Sequence, residues 1–468
     1  MIILSEVNML EIGSIVFSMA VLVFLAYRGF SVLVLAPAVA MIAVMISGGE
    51  SLLGYYTQIF MVKLGDFAVV YFPLFLLSAI FGKLMETSGC AKSIANYVSE
   101  KIGAEKAILA IVLSSSVLTY GGVSLFVVAF AVYPIAVELF KKSATPKRLI
   151  PGAIAIGSFT FTMVALPGTP AIQNAIPAQY FGTNTFAAPG LGIIASIIML
   201  LLGIAWMNRQ LKTAKANGEG YGSHEDKVMS VSDGNLPNFW EAVTPIVIVV
   251  LVNYVCVKFV FPKIDTSYLQ QLKYGSIDIK SVASNWAVIS AVFFAVLFLL
   301  GYHYKNINVT KCLNMGASDS LAPIFNTASV VGYGAVINNL PGFATIKDGI
   351  IALSSGNPII SGSVVTGILS AITGSASGGI SISMQTLGAK LLEMANQAHI
   401  APEALHRIIA LSSSALHAFP HNGAVITLFA ICGLTHRDSY KDILVVAMLV
   451  PLVATVATML IYNVFGSF

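Results

Sequence analysis

Apolar runs of about 18–20 residues recur from one end of this chain to the other, and each is long enough to cross roughly 30 Å of hydrocarbon as an α-helix. A soluble domain cannot hide so many. Charged residues make up only 10% of the 468 and hydrophobic ones 57%, where soluble proteins carry about 25% charged. The expected fold class is therefore an all-α polytopic membrane protein, because helices satisfy their own backbone hydrogen bonds in lipid. The net charge of +4 is dispersed and forms no basic patch, which excludes a nucleic-acid partner. Cys90, Cys256, Cys312 and Cys432 fit neither zinc nor disulfide spacing. Neither a metal nor a cofactor is expected. The opening MIILSEVNMLEIG carries Glu6 and Glu11 and no positive region, so the first apolar run is read as a retained span.

The order of segments repeats. Spans are expected near 12–27, 30–47 and 67–82, followed by an amphipathic surface stretch at 86–103. Runs at 107–118 and 124–140 flank a Gly-rich tip over 119–124. A span from Leu149 is broken at Leu166-Pro167-Gly168-Thr169-Pro170 and continues towards Phe181, and a further span covers 186–206. Residues 207–240 form the long hydrophilic linker. Spans near 241–262, 286–304 and 318–338 then lead to a surface stretch at 341–355. A second hairpin at 358–372 and 380–395 has its tip over 373–379. A second broken span runs from 402 through Phe419-Pro420-His421-Asn422-Gly423 to Cys432, and the last span covers 443–464. Thr119 precedes Pro167 by 48 residues and Thr373 precedes Pro420 by 47. The domains expected are a first repeat at 1–206, the linker, and a second repeat at 241–468.

Charge fixes the expected orientation. With both hairpins re-entrant and the loop Lys141–Arg148 cytoplasmic, 17 of the 25 Lys and Arg residues fall inside, as the positive-inside bias requires. Each half then crosses five times, the two repeats have inverted topology, the linker is cytoplasmic and both termini lie outside. Such repeats build many secondary transporters, with the site at the midplane where broken helices meet.

Irregular backbone survives at membrane depth only around protein-lined or watery cavities. The expected binding residues are therefore at the tips and breaks: Thr119, Gly121, Gly122, Ser124, Pro167, Gly168, Thr169, Gln173 and Asn174 in the first half, and Thr373, Gly374, Ser375, Ser377, His421, Asn422 and Gly423 in the second. Glycine opens the backbone, proline frees a carbonyl, and helices starting after the breaks aim N–H groups at a common point. This set suits a small carboxylate bearing hydroxyls. The competing reading is tight helix packing by small residues. His417 and His421 are candidates for proton coupling, against the alternative of neutral histidines bonded to substrate or freed backbone. Asp319 is a third candidate, against the alternative of a helix cap. Arg148 and Arg407 stand at matching places before the broken spans and read as interfacial anchors. A channel would show a continuous polar stripe, and a metalloenzyme a third ligand beside His417 and His421; the sequence has neither.

The segments Leu166–Asn174, Asn326–Gly334 (Asn-Thr-Ala-Ser-Val-Val-Gly-Tyr-Gly) and Phe419–Val425, with Gly433–Arg437 and Tyr440–Asp442, resemble those of the gluconate permease (GntP-type) family. The resemblance covers nearly the whole chain. It implies an inner-membrane symporter, not an enzyme, that takes up gluconate or a related hydroxy acid such as 3-hydroxybutyrate with protons; sodium coupling is the alternative. A homodimer is expected by analogy. The family pattern implies an acid where this chain has Val330 and an aspartate near His417.

Overall fold

The computed structural model describes residues 6–28, 30–48, 51–123, 125–224, 226, 236–305, 307–353, 356–420 and 422–467. They are almost entirely helical. The first half runs through α1 (Glu6–Tyr27), α2 (Val32–Ile46) and a long span made of α3 (Leu52–Gly54), a π-helical turn and α4 (Met61–Thr87). Then come α5 (Cys90–Ile102), the hairpin pair α6 (Ala107–Tyr120) and α7 (Leu125–Lys142), the interrupted set α8 (Ile150–Phe159), α9 (Phe161–Val164) and α10 (Ile172–Phe181), and α11 (Pro189–Ala216). The second half has α12 (Phe239–Val255), α13 (Ile279–His303), α14 (Val309–Asn338) and α15 (Pro341–Leu353). The pair α16 (Pro358–Thr373) and α17 (Ala376–Gln397) follows, then α18 (Pro402–Ala415) and α19 (Gly423–Cys432). A final span joins α20 (His436–Leu444) through a π-helical turn to α21 (Val450–Phe465).

Local chemistry sets these boundaries. Asn238 and Glu241 form a reciprocal capping box at the start of α12, and at the start of α20 the Asp438 carboxylate accepts from both the N–H and the hydroxyl of Thr435. Pro189, Pro358 and Pro402 stand in the first turns of α11, α16 and α18, where a missing N–H costs nothing. Among the described residues six helices are long and apolar enough to cross a membrane, or seven if the bent pair Cys90–Ile102 and Ala104–Tyr120, angled at 104°, is one span. The third span is longer than expected, Leu52–Thr87. Likewise α14 starts ten residues before Asp319, with Asn308 as its cap.

Packing partners exchange between the halves. The third spans α4 and α14 form the most extensive helix pair. Around them α1 packs on α15 while α12 packs on α5; α2 meets α14 while α13 meets α4; α10 meets α17 while α19 meets α7. The last spans, α11 and α21, lie against each other.

The stretch after α11 folds back on the polar ends of these helices. Arg148 grips Glu219 with two N–H groups, at 2.7 and 3.0 Å. Asp226 pairs with Lys141 at 2.6 Å and Lys147 at 2.9 Å, and the Asp226 and Lys147 side chains are each only 3% exposed. The Tyr221 hydroxyl donates to the same carboxylate. Burial pushes the Asp226 carboxyl up, but the bonds from Lys141, Lys147 and Tyr221 outweigh it and hold the group at about 2. Ser439 donates to the Arg148 carbonyl, and Trp206 donates to Asp442, tying α11 to α20.

Candidate functional site

The two interrupted helix series pack beside one another. The first is interrupted at Thr160 and again over residues 165–171; the second over 416–422. His417, from the second break, sets its ring edge-on to Phe159, which ends α8, with centroids 6.0 Å apart. The α10 segment packs on α18.

The first tip sits on the first break. Gly122 has φ +87°, and a Cβ there would lie 2.9 Å from the Pro170 ring. The Thr119 hydroxyl donates to Ser158, at the end of α8. Tyr120 donates to the Pro167 carbonyl at 2.8 Å, satisfying backbone that the break exposes. Gly121 lies against Ile246 of α12. Ser124 lies outside the described residues.

Within the break, Gly168 has φ +80° and a Cβ there would lie 2.5 Å from the Phe186 ring. Only glycine meets both constraints. Its N–H donates to the Thr185 carbonyl, and its carbonyl accepts from Asn253 of α12 at 3.1 Å. Thr169 is fully buried. Asn174 is also fully buried: its amide donates to the Thr169 and Thr185 carbonyls, while its oxygen accepts from Arg407 at 3.0 Å and faces His406 at 3.2 Å. Gln173 is half-buried on the first turn of α10.

In the second half, Gly374 takes a left-handed conformation and Ser375 caps α17 by accepting from the Gly378 N–H. Ser375 and Ser377 hydroxyls are 3.2 Å apart, and Thr373 donates to the Leu369 and Ser375 carbonyls. A Cβ on Gly378 would reach within 3.3 Å of Val330, so this tip rests on α14. At the second break Asn422 caps α19, accepting from the Val425 N–H, and donates to the His417 carbonyl. His436 reaches the Pro420 carbonyl and Tyr440 donates to that of Ala418. Gly423 is exposed on the first turn of α19. His417 is buried with Nδ1 at 2.9 Å from the Ser414 carbonyl, so that nitrogen carries the proton and serves backbone. His421 lies outside the described residues. Asp319 is exposed in α14, roughly 16 Å along the helix from Val330 at 1.5 Å per residue.

Sequence reasoning missed three groups. Arg407, read as an interfacial anchor, is the largest fully buried side chain among the described residues. His406 is likewise fully buried and 2.6 Å from the Thr183 hydroxyl. Asn253 lies in an uninterrupted apolar run, yet its side chain holds the first break. The usable signal was the polarity of Asn253 among apolar neighbours. Among the described residues no group of three His, Cys, Asp or Glu side chains can hold a metal.

Comparison with known proteins agrees with this architecture. The family model described as GntP family permease matches residues 9–464. The chain is 40% identical over 472 residues to the uncharacterized transporter YxjC of Bacillus subtilis, covering 98% of this chain and 100% of that one. It is 29% identical over 177 residues to an uncharacterized transporter of Haemophilus influenzae, covering 38% of this chain and 40% of the other. Among solved structures, the YdaH transporter of Alcanivorax borkumensis superposes with a TM-score of 0.51 at 17% identity, over 89% of this chain and 90% of that one.

Proposed function

The chain belongs to the GntP family of permeases, and from that premise we propose that this membrane transporter is a secondary active carrier of a small hydroxy-carboxylate. Gluconate and 3-hydroxybutyrate are the first cargoes to try, and a proton gradient is the proposed driving force. One observation carries the reading: two interrupted helix series, one per half, pack beside one another where a glycine-tipped hairpin meets the first of them. Helix N-termini at such breaks favour an anion, and hydroxyl and amide groups around them suit a polyol chain. A continuous pore has no such paired breaks.

The reciprocal packing of the halves supports two inverted repeats, 1–206 and 241–468, with re-entrant hairpins. In that arrangement the linker is cytoplasmic, both termini lie outside, and the protein resides in a bacterial inner membrane, alone or as a homodimer. His417 is the favoured proton-coupling group, being buried where the two series meet; His421 is its neighbour in sequence, and Asp319 stands apart. The permease family points to transport rather than an enzyme's chemistry.

Counterflow exchange in proteoliposomes tests the cargo class. Vesicles preloaded with gluconate or 3-hydroxybutyrate should take up the labelled acid saturably. Exchange should weaken with Thr169→Ala while membrane insertion is unchanged. No exchange with any member of a hydroxy-acid panel rules the reading out.

A further inference from the structure

Arg407 is a buried charge without a counter-charge. Its side chain is 0% exposed in the second turn of α18. Nε donates to the Ala187 carbonyl at 3.0 Å; Nη1 donates to Val164 at 3.1 Å and to the Asn174 side chain at 3.0 Å; Nη2 donates to Thr185 at 3.2 Å and Ala187 at 2.8 Å. A guanidinium has five N–H groups, and all are engaged. Every acceptor is formally neutral. Among the described residues no carboxylate lies within ion-pair distance of it. Arg148, at the matching place in the first half, is instead held by Glu219 and Asp442. Gly192 makes room for the group: a Cβ there would collide with the Ala165 carbonyl and approach Nε to 3.2 Å.

The charge sits at the first break. Tyr120, whose hydroxyl holds the Pro167 carbonyl, braces the same break. Through Asn174 the charge is one side chain from the Thr169 carbonyl. Beside it, two fully buried polar atoms have no hydrogen-bond partner among the described residues, the Thr169 hydroxyl and the Asn253 side-chain oxygen. Burying an unpaired charge is costly and, within a membrane, marks a functional site by default. What would offset it is an anion brought in from outside.

We propose that Arg407 is the fixed positive charge that selects anionic cargo at the first break, acting through its field and not by contact. Contact falls to the Thr169 hydroxyl and the Asn253 oxygen, while the guanidinium has no N–H left to offer. The inference rests on the carboxylate reading above. A unit charge about 8 Å away at an effective dielectric of about 20 favours the anion roughly 30-fold.

Calorimetric binding of gluconate and 3-hydroxybutyrate to the purified full-length chain tests this, with sorbitol and methyl 3-hydroxybutyrate as uncharged controls. Arg407→Gln removes the charge. Arg407→Lys keeps the charge but loses most of the bracing. Ala188→Asp removes none of the groups that accept from Arg407 and adds a negative charge beside the Ala187 carbonyl. Ala188 is 3% exposed and begins α11 with a left-handed φ of 40°, a backbone conformation that aspartate tolerates, and the added carboxylate has the Arg407 charge as its buried partner. The expected result is a roughly 30-fold weaker carboxylate in Arg407→Gln and in Ala188→Asp, with less than threefold loss in Arg407→Lys and unchanged binding of the controls. A bracing role predicts the opposite pattern: Arg407→Lys as damaging as Arg407→Gln, and Ala188→Asp binding carboxylate like wild type. Either result overturns the proposal. Should Arg407→Gln not be recovered folded, Ala188→Asp decides. A wild-type chain that binds neither carboxylate refutes the cargo class itself, and the charge-selection role falls with it.

Discussion

Replacing Asp226 with asparagine should cost stability out of proportion to its size. The carboxylate is held at about 2, against an ordinary 3.8, and each pKa unit is worth about 1.4 kcal/mol, so its charge contributes about 2 kcal/mol when ionised. The Lys141 partner is 50% exposed and solvent screens that pair, whereas Lys147 is 3% exposed. Asp226→Asn therefore leaves a buried ammonium without its carboxylate, and such losses typically reach about 3 kcal/mol. Adding Lys147→Met removes that orphan and should recover all but about 1 kcal/mol. The assay is a double-mutant cycle on unfolding in mixed micelles at pH 7, where a coupling of at least about 2 kcal/mol is expected, because Lys147→Met alone strands the buried Asp226 carboxylate. Because the folded value lies below the unfolded one, the contribution is complete above the unfolded value and is lost as pH falls through 3.8 to about 2. The gap between wild type and Asp226→Asn should hold from neutral pH to about 5 and close near pH 2. Coupling below about 0.5 kcal/mol, or a gap that persists at pH 2, refutes the reasoning.

Two further outcomes follow from the same geometry. Gly168→Ala meets both a left-handed backbone and the Phe186 ring, so it should cost at least about 1–2 kcal/mol and slow exchange; a variant with wild-type melting and transport would show that the break relaxes freely. For topology, single cysteines at Asn217 and Lys263 in a cysteine-free background should react with an impermeant maleimide from opposite faces, Asn217 from the cytoplasm. Labelling of both from one face contradicts the inverted arrangement.

The outline of this molecule was readable because prolines and glycines leave strong local marks. Pro167-Gly168 and Pro420 announced two interruptions, and each lies where a helix ends and another begins. Hydropathy located the spans but blurred their limits. The stretch at 52–66 contains Gln58, Lys63 and Asp66, which lowered its apparent hydropathy, yet it is one helix with α4. Long-range polar contacts were opaque. The partners of Arg407 lie more than 200 residues away, and an arginine near the start of an amphipathic helix looks like an interfacial anchor until those carbonyls are placed around it. Asn174 and Asn422 were picked out as ligand donors from their position after the breaks. In the structure both side chains carry hydrogen bonds to backbone groups of the breaks. A single sequence cannot separate those two uses, because the same residue serves each.

Gradient-driven accumulation tests the central claim most directly. Proteoliposomes holding the purified chain, with an imposed inward proton gradient, should concentrate labelled gluconate or 3-hydroxybutyrate above the external level and lose it when a protonophore is added. Accumulation under a sodium gradient alone would reassign the coupling ion. Failure to accumulate any hydroxy acid under either gradient, or non-saturating leakage down the concentration gradient, would contradict the account of this permease as a carboxylate carrier.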